Sequence, residues 1–550
     1  MILGLAIRWS VAGVVLASIL LLPLLALFIQ ALPTDDAVFT HLMNTVLPDY
    51  IANSLLLMFL VSIGALIIAI PAAWLIARCH FFGHQFFQWG LMLPLAMPAY
   101  LVAYVYTDML DYAGSVQKQL RDWFHWQSSS DYYFPEVRSL SGAAVMLSLV
   151  LFPYVYLLAR TAFREQSVSL QQAASVMGCN PWQSFWRLSL PMARPALAVG
   201  LALVAMETAA DFATVSYFAV PTLTTAVYDT WLGYGSLAAA SKLSVIILLV
   251  IFVTFGLERF ARRKQQLFQK NSAIDRPHRY SLSGLKGFLA TSYCSLLLVF
   301  SFFLPLGILL QYAWYYFDDS WNNAFFRYSL NSLTLSAAVS VICVFIALLL
   351  IFIQRVSPYA WDKLPARLAS FGYALPGTVL ATGILVPLIT LDFAINDIYL
   401  WFDNEGPGLI FSGSIFALVF AFCVRFAAIS IGSVETSYKQ IPPSLDLAST
   451  TMGQSPIKLF LRVHFPLLKK GILVALLLVF IESMKELPAA LLLRPIGYEN
   501  LATYVFQFIS DEQLEQGALA AIVIVLVGLI PLIFLNRQWA KETAHARVTN

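Results

Sequence analysis

The chain has 550 residues, of which 60% are hydrophobic, 14% aromatic and only 11% charged, against about 25% charged in soluble globular domains. That balance excludes a soluble globular protein and predicts an integral membrane one, while a net charge of +3 is too small to argue for nucleic acid as a partner. Cys79, Cys179, Cys294, Cys343 and Cys423 are scattered without Cys-x-x-Cys spacing, which argues against a disulfide framework or a thiolate metal site and leaves them as small core residues.

In chain order, Arg8 precedes an apolar run from about Trp9 to Ala31. The run exceeds the roughly 7–15 residues of a signal-peptide core and has no obvious small-residue cleavage site, so it is predicted to be a first transmembrane helix. Further runs of membrane-crossing length, about 20 residues, lie near 51–77, 88–108, 140–160, 193–217 and 238–258. A second set lies near 288–312, 329–353, 368–391, 409–432, 471–493 and 517–536. The expected fold is therefore all-α with twelve transmembrane helices, of which the fifth and eleventh contain charges. With the N-terminus inside, 26 Lys and Arg fall on the cytoplasmic side and five (Lys118, Arg121, Arg138, Arg327, Arg494) outside; Lys242 and Lys485 lie near or within spans. The positive-inside rule then places both termini in the cytoplasm.

The basic stretch 262–286 separates a half at 1–261 from a half at 287–550 and reads as a cytoplasmic linker. Orientation alone accounts for its charge, and binding to a membrane surface is the other reading. The two halves are copies. "QAASVMGCNPWQSFWRLSLP" (172–191) aligns without a gap with "LASTTMGQSPIKLFLRVHFP" (447–466), so that Met177, Gly178, Pro181, Phe185, Arg187 and Pro191 meet Met452, Gly453, Pro456, Phe460, Arg462 and Pro466. "NSLLL" (53–57) returns as "NSLTL" (331–335), and Pro98 as Pro376. Six helices per half, an even number, make this a parallel repeat about an axis along the membrane normal.

In the repeated segment, Gly178 and Gly453 end a helix, Asn180 and Ser455 cap the next, and Pro181 and Pro456 take its first position. Pro191 and Pro466 are expected to stop that short helix before the membrane begins. Trp182, Phe185 and Trp186, expected to be partly exposed, would suit a docking element for another protein. The spacing of "QAASVMG" and "LSLP" resembles the Glu-Ala-Ala loop of type I ABC importer permeases, whose short helix docks into the ATPase subunit. The resemblance covers about 51–258 and 329–536. It implies docking loops at 164–191 and 434–466, carried by Gln172, Ala173, Ala174, Gly178, Pro181, Arg187 and Pro191, and by Asp446, Ala448, Gly453, Pro456, Arg462 and Pro466. Where that family carries Glu, this chain has Gln172 and Leu447, with Asp446 one place before the latter. No Gly-x-x-x-x-Gly-Lys-Ser/Thr occurs, so the phosphate-cradling device is missing and ATP is expected on a separate ATPase homodimer, with no cofactor in this chain.

Inside the fifth span, "METAADF" (206–212) carries Glu207 and Asp211; at the same offset "FIESMKEL" (480–487) carries Glu482 and Glu486, with Lys485. Spacing i, i+4 predicts one helix face for each pair. Acids in a membrane mark either a pathway or a structural partner, and Lys485 could neutralise Glu482 or Glu486. Carboxylates, with Tyr217 and Tyr228 nearby in sequence, suit a hard cation better than an oxyanion. "ADFATVSYF" with "TLTTAVYDTW" (222–231), and "MKELPAALLLRP" with "ENLATYVF" (499–506), resemble the fused permeases of bacterial ferric-iron ABC importers, with fused thiamine permeases as close relatives. That resemblance implies Fe(III) as cargo, a periplasmic iron-binding protein outside, and alternating access in the bacterial inner membrane. The aromatic outer loop 109–139 reads equally as a contact for that protein and as a membrane-interface belt. A proton- or sodium-coupled secondary transporter would explain the acids but not the duplicated capped helix. A membrane enzyme would need convergent catalytic groups, and His80 and His84 alone do not supply them.

Overall fold

The computed structural model describes residues 2–32, 36–167, 172–174, 176–262, 280–357, 359–402 and 406–548; most of the basic stretch 262–286 and part of the loop 164–191 lie outside them. The helices used below are α1 (Ile2–Ala31), α2 (Leu47–Arg78), α3 (Leu140–Glu165), α4 (Leu190–Ala210), α5 (Ala213–Tyr217), α6 (Asn323–Val356), α7 (Gly377–Trp401), α8 (Ile415–Lys439), α9 (Pro443–Thr451), α10 (Phe465–Lys485), α11 (Pro488–Leu493) and α12 (Leu514–Val548).

Among the described residues, ten helices are long and apolar enough to cross a membrane, rather than the expected twelve. The run expected at 88–108 is broken into His84–Ala96 and Ala99–Phe124, which meet at 89°. Pro98 causes the break: its φ of −56° and ψ of 139° are extended, and it brings no N–H to continue the preceding turn. The run expected at 517–536 falls in α12, whose described apolar stretch, Leu514–Ile530, is shorter than a full crossing.

The chain divides into two compact units that do not follow the sequence halves. The first comprises Met1–Asn44, Ala226–Ile246 and Asp318–Phe508; the second comprises Thr45–Thr225, Ile247–Phe317 and Ile509–Asn550. In the second, α2, α3 and α4 pack on one another. Small residues permit the close approach: a Cβ at Gly200 would stand 3.0 Å from the Val155 Cα, and one at Gly64 would strike the Ser148 side chain. In the first, the repeated helices α6, α8 and α10 form the matching trio. Here α1, from the start of the chain, joins them and packs on α7; its Trp9 ring meets Phe352 of α6 edge-on at 5.9 Å, and its Ser10 hydroxyl donates to Asp362 at 2.8 Å. The second unit likewise takes in Gly284–Tyr315 and α12 from the far end of the chain.

The repeat extends to single hydrogen bonds. Asn53 donates to the Pro221 carbonyl at 3.1 Å, and Asn331 to the Glu499 carbonyl at 2.8 Å. Beside them the Ser54 hydroxyl accepts from the Leu223 N–H and the Ser332 hydroxyl from the Leu501 N–H, at 2.9 and 2.6 Å. Each Asn-Ser pair ties the start of a helix to a loop 168 or 169 residues later. That long reach explains why "NSLLL" and "NSLTL" survive as a recognisable repeat.

Candidate functional site: broken acidic helices and paired loops

Glu207 and Asp211 do not share a helix face. The helix α4 ends at Ala210, and Asp211 is extended, with φ −67° and ψ 130°. Glu486 is likewise extended just beyond α10, with φ −68° and ψ 115°. Both expected spans, 193–217 and 471–493, are therefore broken after their acid, and short helices α5 and α11 follow. The reason is local: the first N–H groups of a helix have no partner within it, and the acid accepts them. Asp211 Oδ1 takes the N–H of Thr214 at 3.0 Å and of Val215 at 3.2 Å, and its Oδ2 takes the Thr214 hydroxyl at 3.0 Å. Glu486 Oε1 takes the Ala489 N–H at 3.4 Å.

Glu486 also meets a cation that loop counting had assigned to the cytoplasmic side. Arg425 lies well inside α8, and its Nε stands 3.3 Å from Glu486 Oε2, with side chains only 14% and 6% exposed. Its Nη1 donates to the Leu375 carbonyl at 3.2 Å. Gly377 makes room for this pair, since a Cβ there would lie 2.4 Å from Glu486 Oε1; the repeat places Ala99 at the equivalent position. Lys485 turns to Glu482 instead, at 3.7 Å, and the Glu482 side chain remains 41% exposed. Glu207 is half-buried. Among the described residues, no three His, Cys, Asp or Glu side chains are grouped to hold a metal ion.

The loops 164–191 and 434–466 share one construction. Gly178 and Gly453 have φ of +81° and +71°, the left-handed conformation that glycine adopts at a helix end. Two backbone bonds close each turn: Met177 N–H to Ala173 and Cys179 N–H to Ala174, matched by Met452 to Ala448 and Gln454 to Ser449. Asn180 then caps the next helix by accepting the Gln183 N–H at 2.7 Å, and Ser455 by accepting the Lys458 N–H at 3.4 Å. Gln172, Ala173, Arg187, Ala448, Arg462 and Pro466 are exposed, whereas Ala174 is buried.

Two expectations need correction here. Phe185 is buried, seated on the Trp74 ring at 5.0 Å, and only Trp182 and Trp186 are exposed, at 69% and 50%. The Phe460 ring meets Phe352 at 5.3 Å in the other copy. Nor do Pro191 and Pro466 stop the short helices, which run on as Trp182–Ala210 and Pro456–Lys485. A π-helical turn, Phe185–Ser189 or Phe460–His464, precedes each proline. The wider turn accommodates a residue that breaks the ordinary ladder.

Residues 69–266 match the inner membrane component of binding-protein-dependent transport systems. The Fe(3+)-transport system permease protein FbpB 2 of Haemophilus influenzae is 26% identical over 503 residues, 90% of each chain. The chain is thus similar to the permeases of binding-protein-dependent transport systems, over residues 69–266 by the family match and over most of its length by this relative. Its length reflects the doubling: the molybdenum transport system permease protein ModB of Escherichia coli is 27% identical over 228 residues, 96% of that relative but 40% of this chain. A second double-length relative, the putative ferric transport system permease protein FbpB 1 of Haemophilus influenzae, is 23% identical over 86% of this chain and 75% of its own.

Proposed function

We propose that this permease carries ferric iron into the cytoplasm across the bacterial inner membrane, receiving it from a periplasmic iron-binding protein. Both termini and both repeated loops face the cytoplasm, where a separate ATPase homodimer engages residues 164–191 and 434–466. ATP-driven closure of that dimer moves the membrane helices between outward and inward access. The observation that carries the reading is the match along 90% of both chains to a relative named for Fe(3+) transport. Side-chain chemistry supports it: the carboxylates of Glu207 and of Glu482 are hard oxygen donors of the kind a hard cation takes.

The test is uptake of radiolabelled ferric iron, thiamine and molybdate, in separate arms, by proteoliposomes holding the permease and its ATPase, with matching binding protein outside and ATP inside. ATP-dependent iron uptake that falls in Glu207→Gln and Glu482→Gln is expected. Uptake of thiamine or molybdate instead would overturn the cargo, and iron uptake indifferent to both changes would remove the two acids from the path. Gly178→Val and Gly453→Val test the loops. Among the described residues, no atom beyond the chain neighbours lies within 4 Å of a Cβ at either site, so the cost there is one of backbone conformation, roughly 1–2 kcal/mol. Both variants should remain folded and lose coupled uptake, and normal uptake in both would exclude a docking role.

A further inference from the structure

The helices that leave the two repeated loops for the membrane carry their cations at matched places. They are Trp182–Ala210 and, past α9 and the turn at Gly453, Pro456–Lys485. At the offset of 275 residues Arg187 meets Arg462, and Arg194 meets Lys469. All four residues are exposed. Seven residues, about two helical turns, separate the members of each pair, which places them on one side of the helix. Unbroken apolar sequence begins directly after them, at Pro195 and, past Lys470, at Gly471. The second cation of each pair therefore stands at the water edge of the hydrocarbon, with the first about 10 Å further out. A headgroup layer is about 5–8 Å thick, so each pair brackets the layer in which lipid phosphates lie.

Neither helix offers an acid to neutralise its pair. The first carboxylate in each is Glu207 or Glu482, thirteen residues past Arg194 or Lys469. Among the described residues no ion pair engages any of the four cations, whereas Arg355, Arg425 and Lys439 in the second copy each hold a carboxylate. The positive-inside rule asks only for cations somewhere in a cytoplasmic loop. It does not account for one register kept twice, in helices whose neighbouring exposed side chains differ: Trp182 and Trp186 in one, Ile457 and Leu461 in the other. Exposed apolar groups beside cations suit the boundary between headgroups and acyl chains. An acidic protein surface would match the charge but not the direct continuation into apolar sequence. Guanidinium in three of the four positions adds a fork that fits phosphate oxygens in pairs.

We propose that each pair, Arg187 with Arg194 and Arg462 with Lys469, clasps the phosphate of one anionic phospholipid, so that the chain holds two such lipids, one beside each repeated loop. Arg187 and Arg462 then anchor the loops to the bilayer surface and leave contact with the ATPase to the rest of each loop. The inference goes beyond the importer reading and needs only that these helices enter a membrane. The test places the full chain in nanodiscs of equal parts phosphatidylcholine and phosphatidylglycerol and counts, by native mass spectrometry, the lipids it carries into detergent. The unmodified chain should keep two phosphatidylglycerol molecules. Arg187→Gln/Arg194→Gln and Arg462→Gln/Lys469→Gln should each keep one, with affinity at the altered site lowered about 30-fold, about fivefold for each cation removed. Lys363→Gln/Arg367→Gln removes the same charge from another exposed place and should keep both. Equal losses from that control would reduce the effect to overall charge and overturn the site. Phosphatidylcholine kept as often as phosphatidylglycerol by the unmodified chain would overturn it without relying on any variant's folding. Excess inorganic phosphate should displace neither lipid, and displacement would make the occupant a free anion. Lipid counts unchanged in the two helix variants, with the ATPase no longer co-purifying, would assign the cations to the ATPase instead. Iron uptake plays no part in these measurements, so the cargo reading can fail while the lipid site stands.

Discussion

Asp211 and Glu486 occupy the same address in the two halves, end the same helix and cap the same short one, yet they are held by different means. Aspartate, with the shorter side chain, reaches two N–H groups and a hydroxyl from its own segment. Glutamate reaches one N–H, at 3.4 Å, and completes its environment with the guanidinium of Arg425. The fold requires an acceptor at the break, because the short helix would otherwise leave orphan N–H groups in a medium that cannot hydrate them. How the acceptor's charge is balanced is then free to diverge. One half became a polar cap within its own segment, and the other a buried ion pair across two helices.

Removing one partner of the ion pair is the strongest way to probe that divergence. Glu486→Leu strands Arg425 and is expected to cost about 3–5 kcal/mol, read as a fall in thermal denaturation midpoint in detergent. The Arg425→Leu/Glu486→Leu double variant should recover most of it, and a double-mutant cycle with no coupling would mean that Glu486 answers to something other than Arg425. The first half should respond more gently. Asp211→Ala removes only a cap, at about 1–2 kcal/mol, and Asp211→Asn should keep most of the stability because its amide oxygen can accept the same two N–H groups. A loss for Asp211→Ala as large as that for Glu486→Leu would erase the distinction between the halves.

The smallest expected effect lies outside the membrane helices and serves as a contrast, a carboxylate cap fully in water. The N–H groups of Ser128 and Gln127 hold Asp131 below the ordinary aspartate value of 3.8. Its capping contribution is complete above that value and is lost as pH falls below it, through the lowered folded value. Trp126, stacked between Phe124 and Tyr132 at 4.7 Å on each side, reports the change. Its fluorescence should shift only below about pH 4, and a shift near neutral pH would point to a different group.

What the sequence revealed, and what it hid, follows the range of each interaction. Gly178, Asn180, Gly453 and Ser455 were readable because helix ends are decided by residues three or four places apart. The break after Asp211 was hidden because apolar residues continue on both sides of it. In the second copy Pro488, at the first position of α11, was the available signal: a proline brings no N–H to continue the preceding helix and suits the start of a new one, and the repeat would have carried that break back to Asp211. Arg425 could not be paired with Glu486 by pattern, since 61 residues separate them and only the packing of α8 near α11 brings them together. The compact units were equally hidden, for helix order along the chain carries no mark of which trio each terminal helix will join.

That last feature has a consequence for how the protein is made. The helix α1 leaves the ribosome well before the helices it packs against, α6 and α7, which begin only at Asn323 and Gly377. At about 5–20 residues per second, roughly 20–70 s of synthesis separate the end of α1 from the arrival of α7. Through that interval lipid must serve as the temporary partner of a helix whose protein neighbours do not yet exist. Fusing the halves into one chain keeps that waiting helix tethered to the same polypeptide that will supply its partners, so a half-finished permease cannot lose it to diffusion in the bilayer.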